Sequence, residues 1–364
     1  MRRIRVLVVD DVSMVRRLVV DALSIDPEVQ VVGVAANGRE ALEKIPAVHP
    51  DLLVLDYEMP EMDGLETLIE VRKGYPSIRV IIFSSHTRHG AKVTLDALWH
   101  GADDYVAKGR ADNVTAATQL IRTQLLPKIK ALCSRLEGSE DGQSRATEIQ
   151  AAPRPAPRRT SIVLARAEIV AIGASTGGPR ALATLFEGLP SDFPAPIVIV
   201  QHMPPIFTRL LAERLGTRTS LPCAEGADGA TLRGGQIWIA PGDHHMVLER
   251  DGTEIRIRLT SDPPVNSCRP AVDPLFRSVA EIYGSAALGV VLTGMGQDGY
   301  KGCERIRELG GAVVVQDEAS SVVWGMPGIV ARSGLADKIV PLEEVAGEIV
   351  RYASLGKRRK APVG

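Results

Sequence analysis

The sequence is short of several things, and each shortage closes off a class of protein. Its four cysteines, Cys133, Cys223, Cys268 and Cys303, are far apart, with no CxxC and no Cys/His cluster. Neither a zinc site nor a disulfide framework is indicated, and the thiols read as reduced in a cytoplasmic protein. No apolar run approaches the roughly 18 residues that a membrane span needs. The opening "MRRIRVLVVDD" has basic residues before only about five apolar ones and then two aspartates, so it reads as a strand and not a signal peptide. Charge of one sign is also missing: 43 Lys and Arg stand against 44 Asp and Glu, a net charge of -1. That balance gives no reason to expect nucleic acid or membrane insertion.

What is present is the composition of a soluble globular protein, 45% apolar and 24% charged. At 364 residues the chain is too long for one ordinary domain. Residues 1–125 alternate β-branched runs with amphipathic stretches. The runs are "IRVLVV" (4–9), "VQVVGVA" (29–35), "DLLVL" (51–55), "IRVIIF" (78–83) and "DYVA" (104–107). Helical patterns lie between them near 13–24, 38–46, 64–73 and 89–100, and one follows at 111–133. This rhythm predicts an α/β fold with a five-stranded, parallel, doubly wound sheet.

A linker is expected over 126–165, its clearest part being the Pro-, Ser-, Gly- and Arg-rich run 138–161. A second domain is expected over 166–355. "EIVAIGA", "APIVIVQH", "ALGVVLTG" and "GAVVVQ" read as buried parallel strands of another doubly wound sheet. "GGQIWIAPGDHHMVLERDGTEIRIRLT" reads as a β-hairpin ribbon. His244 and His245 within it read as turn and surface residues. The final "GKRRKAPVG" reads as a solvated tail.

In the first domain Asp10 and Asp11 follow one strand, Asp56 ends another, and Ser84 and Lys108 sit at the ends of two more. Acidic pairs before a helix often serve only as caps. Three carboxylates at one sheet edge nevertheless repel unless a hard cation such as Mg²⁺ joins them. A cation, a lysine and a hydroxyl around Asp56 suit a phosphoryl group in flight, with Asp56 as acceptor. With the D-x-x-M-P-x-x-D-G run from Asp56 to Gly64, the pattern resembles the receiver domain of two-component response regulators. The resemblance implies phosphotransfer from a histidine kinase to Asp56. It also implies the Glu58 carbonyl as a further metal ligand and Tyr105 as a switching aromatic. Gly109 stands where receivers usually have proline.

In the second domain Ser175 follows a buried strand in "VAIGASTGGP". The stretch lacks G-x-G-x-x-G spacing, a Walker lysine and the G-x-S-x-G elbow. His202 ends the next strand, and Asp298 lies in a glycine-rich loop after a third. Nucleophile, base and carboxylate in any chain order can make a serine-hydrolase triad. Backbone amides of the same loops can form an oxyanion hole. "IGASTGGP", "VQHMPP", "RPAVDPLF" and "LTGMGQDG" resemble the motifs of the chemotaxis response-regulator protein-glutamate methylesterases. By that resemblance Ser175, His202 and Asp298 are catalytic, the Met295 N–H is an oxyanion donor, and Thr176 lies beside the site. The implied substrates are γ-methyl glutamate esters on the cytoplasmic helices of chemoreceptors, with glutamine deamidation as a second activity. No cofactor is expected in this domain. A serine hydrolase for another ester, or a non-catalytic scaffold, remains an alternative on the residues alone.

Overall fold

A computed structural model describes residues 2–85, 87–108, 114–134 and 165–355. Most of the expected linker, the terminal tail and Gly109 lie outside the described residues. The first domain contains strands β1 (Ile4–Val9), β2 (Val29–Ala35), β3 (Leu52–Asp56), β4 (Arg79–Ser85) and β5 (Asp104–Lys108). They form one parallel sheet in the order β2-β1-β3-β4-β5. Runs such as Leu52–Leu55 are buried because helices cover both faces of the sheet. The order reverses between β1 and β3, the switch point where such sheets gather ligands. Asp10 and Asp56 flank that point.

The helical backbone after β5 runs from Val114 to Cys133, with π-helical geometry over Ile121–Leu125. Ile121, Leu125, Ile129 and Leu132 recur every three or four residues and are buried with Cys133 in the first domain's core. This folded unit therefore reaches Cys133, eight residues past the expected boundary at 125.

The second domain contains β6 (Ile169–Ala174), β7 (Ile197–Gln201), β8 (Cys223–Glu225) and β9 (Ile237–Ile239). β10 (His245–Asp251), β11 (Glu254–Thr260), β12 (Ala287–Val291), β13 (Ala312–Gln316) and β14 (Lys338–Val340) follow. Seven strands make a parallel sheet in the order β14-β13-β12-β6-β7-β9-β8. β10 and β11 form the hairpin, paired from His245–Thr260 to Asp251–Glu254. Its first expected run does not join it. Ile237–Ile239 pairs in parallel with β7 and β8, because Ile237 and Ile239 are buried. His245 also departs from expectation. It is 1% exposed, and its ring nitrogens meet the Pro263 carbonyl and the Ala271 N–H, each at 3.2 Å. It stitches the hairpin to the loop that leads into helix Val272–Tyr283.

Candidate active site

At the first sheet edge Lys108 is the hub. Its Nζ lies 2.8 Å from carboxylate oxygens of both Asp10 and Asp56. The Tyr57 N–H donates to Asp56 at 2.8 Å. Oxygens of Asp10, Asp11 and Asp56 lie within 4.8 Å of one another. Burial pushes the Asp56 carboxyl up to about 6; Lys108 pulls against this, while Asp10 adds to it. The cavity above is lined by Asp11, Asp56, Glu58, Ser84 and Lys108. A surplus of hard oxygen donors there fits a divalent cation. The Ser84 hydroxyl points elsewhere, donating to the Gly90 carbonyl at 3.2 Å.

The second edge is assembled by its backbone. Ser175 follows β6, and its N–H donates to the Thr293 carbonyl at 3.0 Å, tying β6 to the end of β12. The serine carbonyl accepts from Gly178 N–H at 2.8 Å and Gln201 Nε2 at 2.9 Å. Gly177 has φ +78, and a Cβ there would meet Val322 Cγ2 at 2.6 Å. The glycines of "GASTGG" thus answer a steric demand, and Pro179 sits in the first turn of helix Gly178–Glu187. A Cβ on Gly294 would come within 2.8 Å of the Ser175 Cβ. Gly294, the residue before Met295, therefore passes directly against Ser175.

His202 follows β7 and is joined to β6 by its own N–H, which donates to Ala174 at 3.1 Å. Its Nε2 meets Asp298 Oδ2 at 2.7 Å. Burial alone would lower the imidazole's pKa, but its hydrogen bonds to Asp298 and Cys268 outweigh burial and raise it to about 9. Asp298 is 2% exposed and lies over the start of helix Val272–Tyr283. The backbone N–H groups of Val272, Asp273 and Gly299 donate to it at 2.6, 3.1 and 3.0 Å. Asn266 Nδ2 donates at 2.9 Å. Burial would raise its pKa, but His202 above all, then the other donors, hold it below the usual value. Ser175 and His202 line one cavity. No hydrogen bond joins the serine hydroxyl to the imidazole among the described residues, as is common before substrate binds.

That cavity is closed by the first domain. Leu98, Asp104, Tyr105 and Lys128 form its other wall, and about 10 Å³ of space is left, room for no more than one water. Thr176, beside the serine, donates its hydroxyl to Asp104 at 2.6 Å. Lys128 Nζ holds the other Asp104 oxygen at 2.9 Å. The Tyr105 ring stacks on Phe207 with centroids 4.8 Å apart. Arg214 pairs with Asp96 and covers the Trp99 ring at 4.8 Å. Met295, Val322 and Val323 pack against the first domain's core.

The structure thus brings Asp10, Asp11, Asp56 and Lys108 together at one edge and His202 with Asp298 at the other. Ser175 and Thr176 line the cavity with His202, and Met295 follows the Gly294 that packs against Ser175. Sequence reasoning missed Asp104, Lys128, Asn266 and Cys268. In the sequence Asp104 marks only the start of a strand, and Asn266 and Cys268 lie in a loop without periodicity.

Comparison with known proteins agrees with this division. Residues 6–119 match the response regulator receiver domain and residues 170–349 match the CheB methylesterase. A protein-glutamate methylesterase/protein-glutamine glutaminase of Trichodesmium erythraeum (strain IMS101) is 52% identical, over 96% of this chain and 99% of its own. One from Nocardioides sp. (strain ATCC BAA-499 / JS614) is 45% identical, over 99% and 98%. The Thermotoga maritima CheB methylesterase catalytic domain superposes with a TM-score of 0.50 at 43% identity, covering 51% of this chain and 98% of that one. A receiver sheet with its acid cluster, docked over a serine, histidine and aspartate at the switch point of a second sheet, places this chain in the CheB family of receiver-regulated protein-glutamate methylesterases.

Proposed function

We propose that Ser175, His202 and Asp298 hydrolyse γ-methyl glutamate esters on chemoreceptor cytoplasmic helices. The observation that carries this is the 2.7 Å bond between His202 and Asp298 in the cavity that holds Ser175. Neutral His202 takes the proton of Ser175 as the hydroxyl attacks the ester carbonyl. Asp298 orients the imidazole and stabilises the imidazolium. The Met295 N–H, one residue past the Gly294 that packs against Ser175, donates to the developing oxyanion. The imidazolium protonates the departing methoxide, and methanol leaves. Water, deprotonated by His202, then releases glutamate and restores the serine. A glutamine side chain would follow the same course with ammonia leaving, in keeping with the glutaminase half of the relatives' names.

Asp56 accepts a phosphoryl group from a histidine kinase. Asp10, Asp11, Asp56 and the Glu58 carbonyl would hold Mg²⁺, which supplies charge neutralisation for the transferred group. Lys108 holds the acceptor and a phosphate oxygen. The unphosphorylated receiver excludes substrate through the Asp104–Thr176 and Tyr105–Phe207 contacts, and phosphorylation moves Tyr105 and loosens them. These reactions belong in the cytoplasm; no helix among the described residues is long and apolar enough to cross a membrane.

The test is methanol release from methylated receptor by wild type and Ser175→Ala, with and without a phosphodonor. Release that is absent in Ser175→Ala and rises with the phosphodonor supports the proposal. Unchanged release in Ser175→Ala contradicts it.

A further inference from the structure

Asp298 shares its surroundings with a second buried acid. Asp273, in the first turn of helix Val272–Tyr283, is also 2% exposed. Burial raises its pKa, with Asp298 adding to the rise against the Gly302 and Asn266 hydrogen bonds. One side chain stands between the two carboxylates. Asn266 Nδ2 donates to Asp298 Oδ1 at 2.9 Å and to Asp273 Oδ2 at 3.0 Å. A primary amide has two N–H bonds, so each carboxylate receives one. The other donors to Asp298 are backbone N–H groups and the imidazole. Among the described residues, Asn266 is thus the one side chain besides His202 that hydrogen-bonds the acid.

The backbone presents Asn266 for this purpose. Val265 and Cys268 exchange N–H to carbonyl bonds at 3.0 and 2.9 Å, closing a turn of four residues. Asn266 sits at its bend with φ +51, a left-handed conformation that asparagine tolerates better than most residues. The same turn carries Cys268, the second partner of His202. The groups facing this acid pair are His202 with Cys268 on the reaction side, Arg277 near Asp273, and the buried Cys303.

We infer that Asn266 is a positioning residue of the esterase. Its amide fixes the Asp298 carboxylate in the orientation that meets His202 and keeps two buried negative charges apart by donating to both. The inference rests on Asp298 being the triad acid. Without the amide, Asp298 has one donor fewer, free torsion toward Asp273, and more uncompensated charge facing His202. That charge holds the imidazolium more tightly, so the neutral base appears only at higher pH.

The experiment uses the full chain with an acyl-phosphate donor and measures methanol release from methylated receptor across pH. Asn266→Gly accepts φ +51 without strain and removes the amide; Asn266→Asp keeps the shape and removes the donor. Asn266→Gly is expected to lower kcat on the order of 10²-fold with KM unchanged. The acid limb of its pH profile moves to higher pH, and its melting midpoint stays near wild type. Asn266→Asp loses more. Asp298→Asn is run in parallel. If Asp298→Asn is inactive while Asn266→Gly keeps wild-type kcat and pH limb, the inference is overturned and the triad stands. A loss of kcat that leaves the pH limb in place, or that tracks a fall in melting midpoint, also overturns it, because the role is then only structural. Full activity in Asp298→Asn removes the triad reading and this inference with it.

Discussion

At Asp56, three carboxylates crowd one sheet edge and a single ammonium serves two of them. At Asp298, five donors converge on one carboxylate. Both acids lie at the carboxyl ends of parallel strands beside a switch point, yet burial has opposite outcomes. Asp56 is raised to about 6 because burial outweighs what Lys108 and the Tyr57 N–H supply, and the charge of Asp10 adds to the rise. Asp298 is lowered because its oxygens are supplied with N–H groups and an imidazole. The first arrangement is left wanting positive charge and suits an incoming cation. The second is complete within the protein and suits holding an imidazole still. A carboxylate's role at such an edge is therefore decided by the balance of donors around it, not by the sheet that presents it.

The largest effect that sharpens the contrast is removal of the proposed nucleophile. Ser175→Ala is expected to lower methanol release on the order of 10⁶-fold, with phosphoryl incorporation at Asp56 unchanged by radiolabel. Asp298→Asn keeps the shape of the side chain but removes the charge and replaces one accepting oxygen by a donating NH2. A kcat loss on the order of 10⁴-fold is expected, with the fold intact by circular dichroism. Activity should also depend on His202 being neutral. Below its raised pKa, about 9 in the closed protein, the imidazolium cannot take the serine proton. The basal rate of unphosphorylated chain should therefore rise about tenfold per pH unit up to that value. A basal profile flat from pH 5 to 8 would exclude histidine as the base.

Smaller effects concern how the two edges are coupled. Asp104→Asn removes the charge that Lys128 pairs with and weakens the bond to Thr176. With roughly 1 kcal/mol of a buried hydrogen bond lost, basal methanol release should rise about fivefold without a phosphodonor. A basal rate equal to wild type would show that this contact does not hold the gate. Chelation of divalent cations should mark the difference between the acids most plainly. Phosphoryl incorporation at Asp56 should stop, and methanol release by residues 165–355 should not change.

Much of this architecture was legible from the chain. Buried β-branched runs ending in "DD", "LD", "GAS" and "QH" announced both parallel sheets and the side chains at their edges. The outer strands of the seven-stranded sheet are not legible, because β8 and β14 have three residues each, too few to show a period. "QIWI" alternates like the ribbon that follows it, so β9 looks like part of the hairpin; its parallel pairing with β7 is a tertiary fact. His245 looks exposed in the sequence because local pattern cannot see the Pro263 and Ala271 backbone that enclose it. Catalytic candidates stood out because motif and strand end coincide. Their supports did not: Asn266 reaches Asp298 from 32 positions away, and Asp104 reaches Thr176 across 72. Neither distance leaves a mark on local composition.

If the proposed triad is already formed beneath the receiver, uncovering it is enough to raise the rate. The most direct measurement is the initial rate of methanol release from methylated receptor, comparing residues 165–355 with the unphosphorylated full chain at equal concentration. A markedly faster rate for residues 165–355, approached by the full chain only when Asp56 is phosphorylated, is the expected result. Equal rates for the two unphosphorylated proteins would contradict the account.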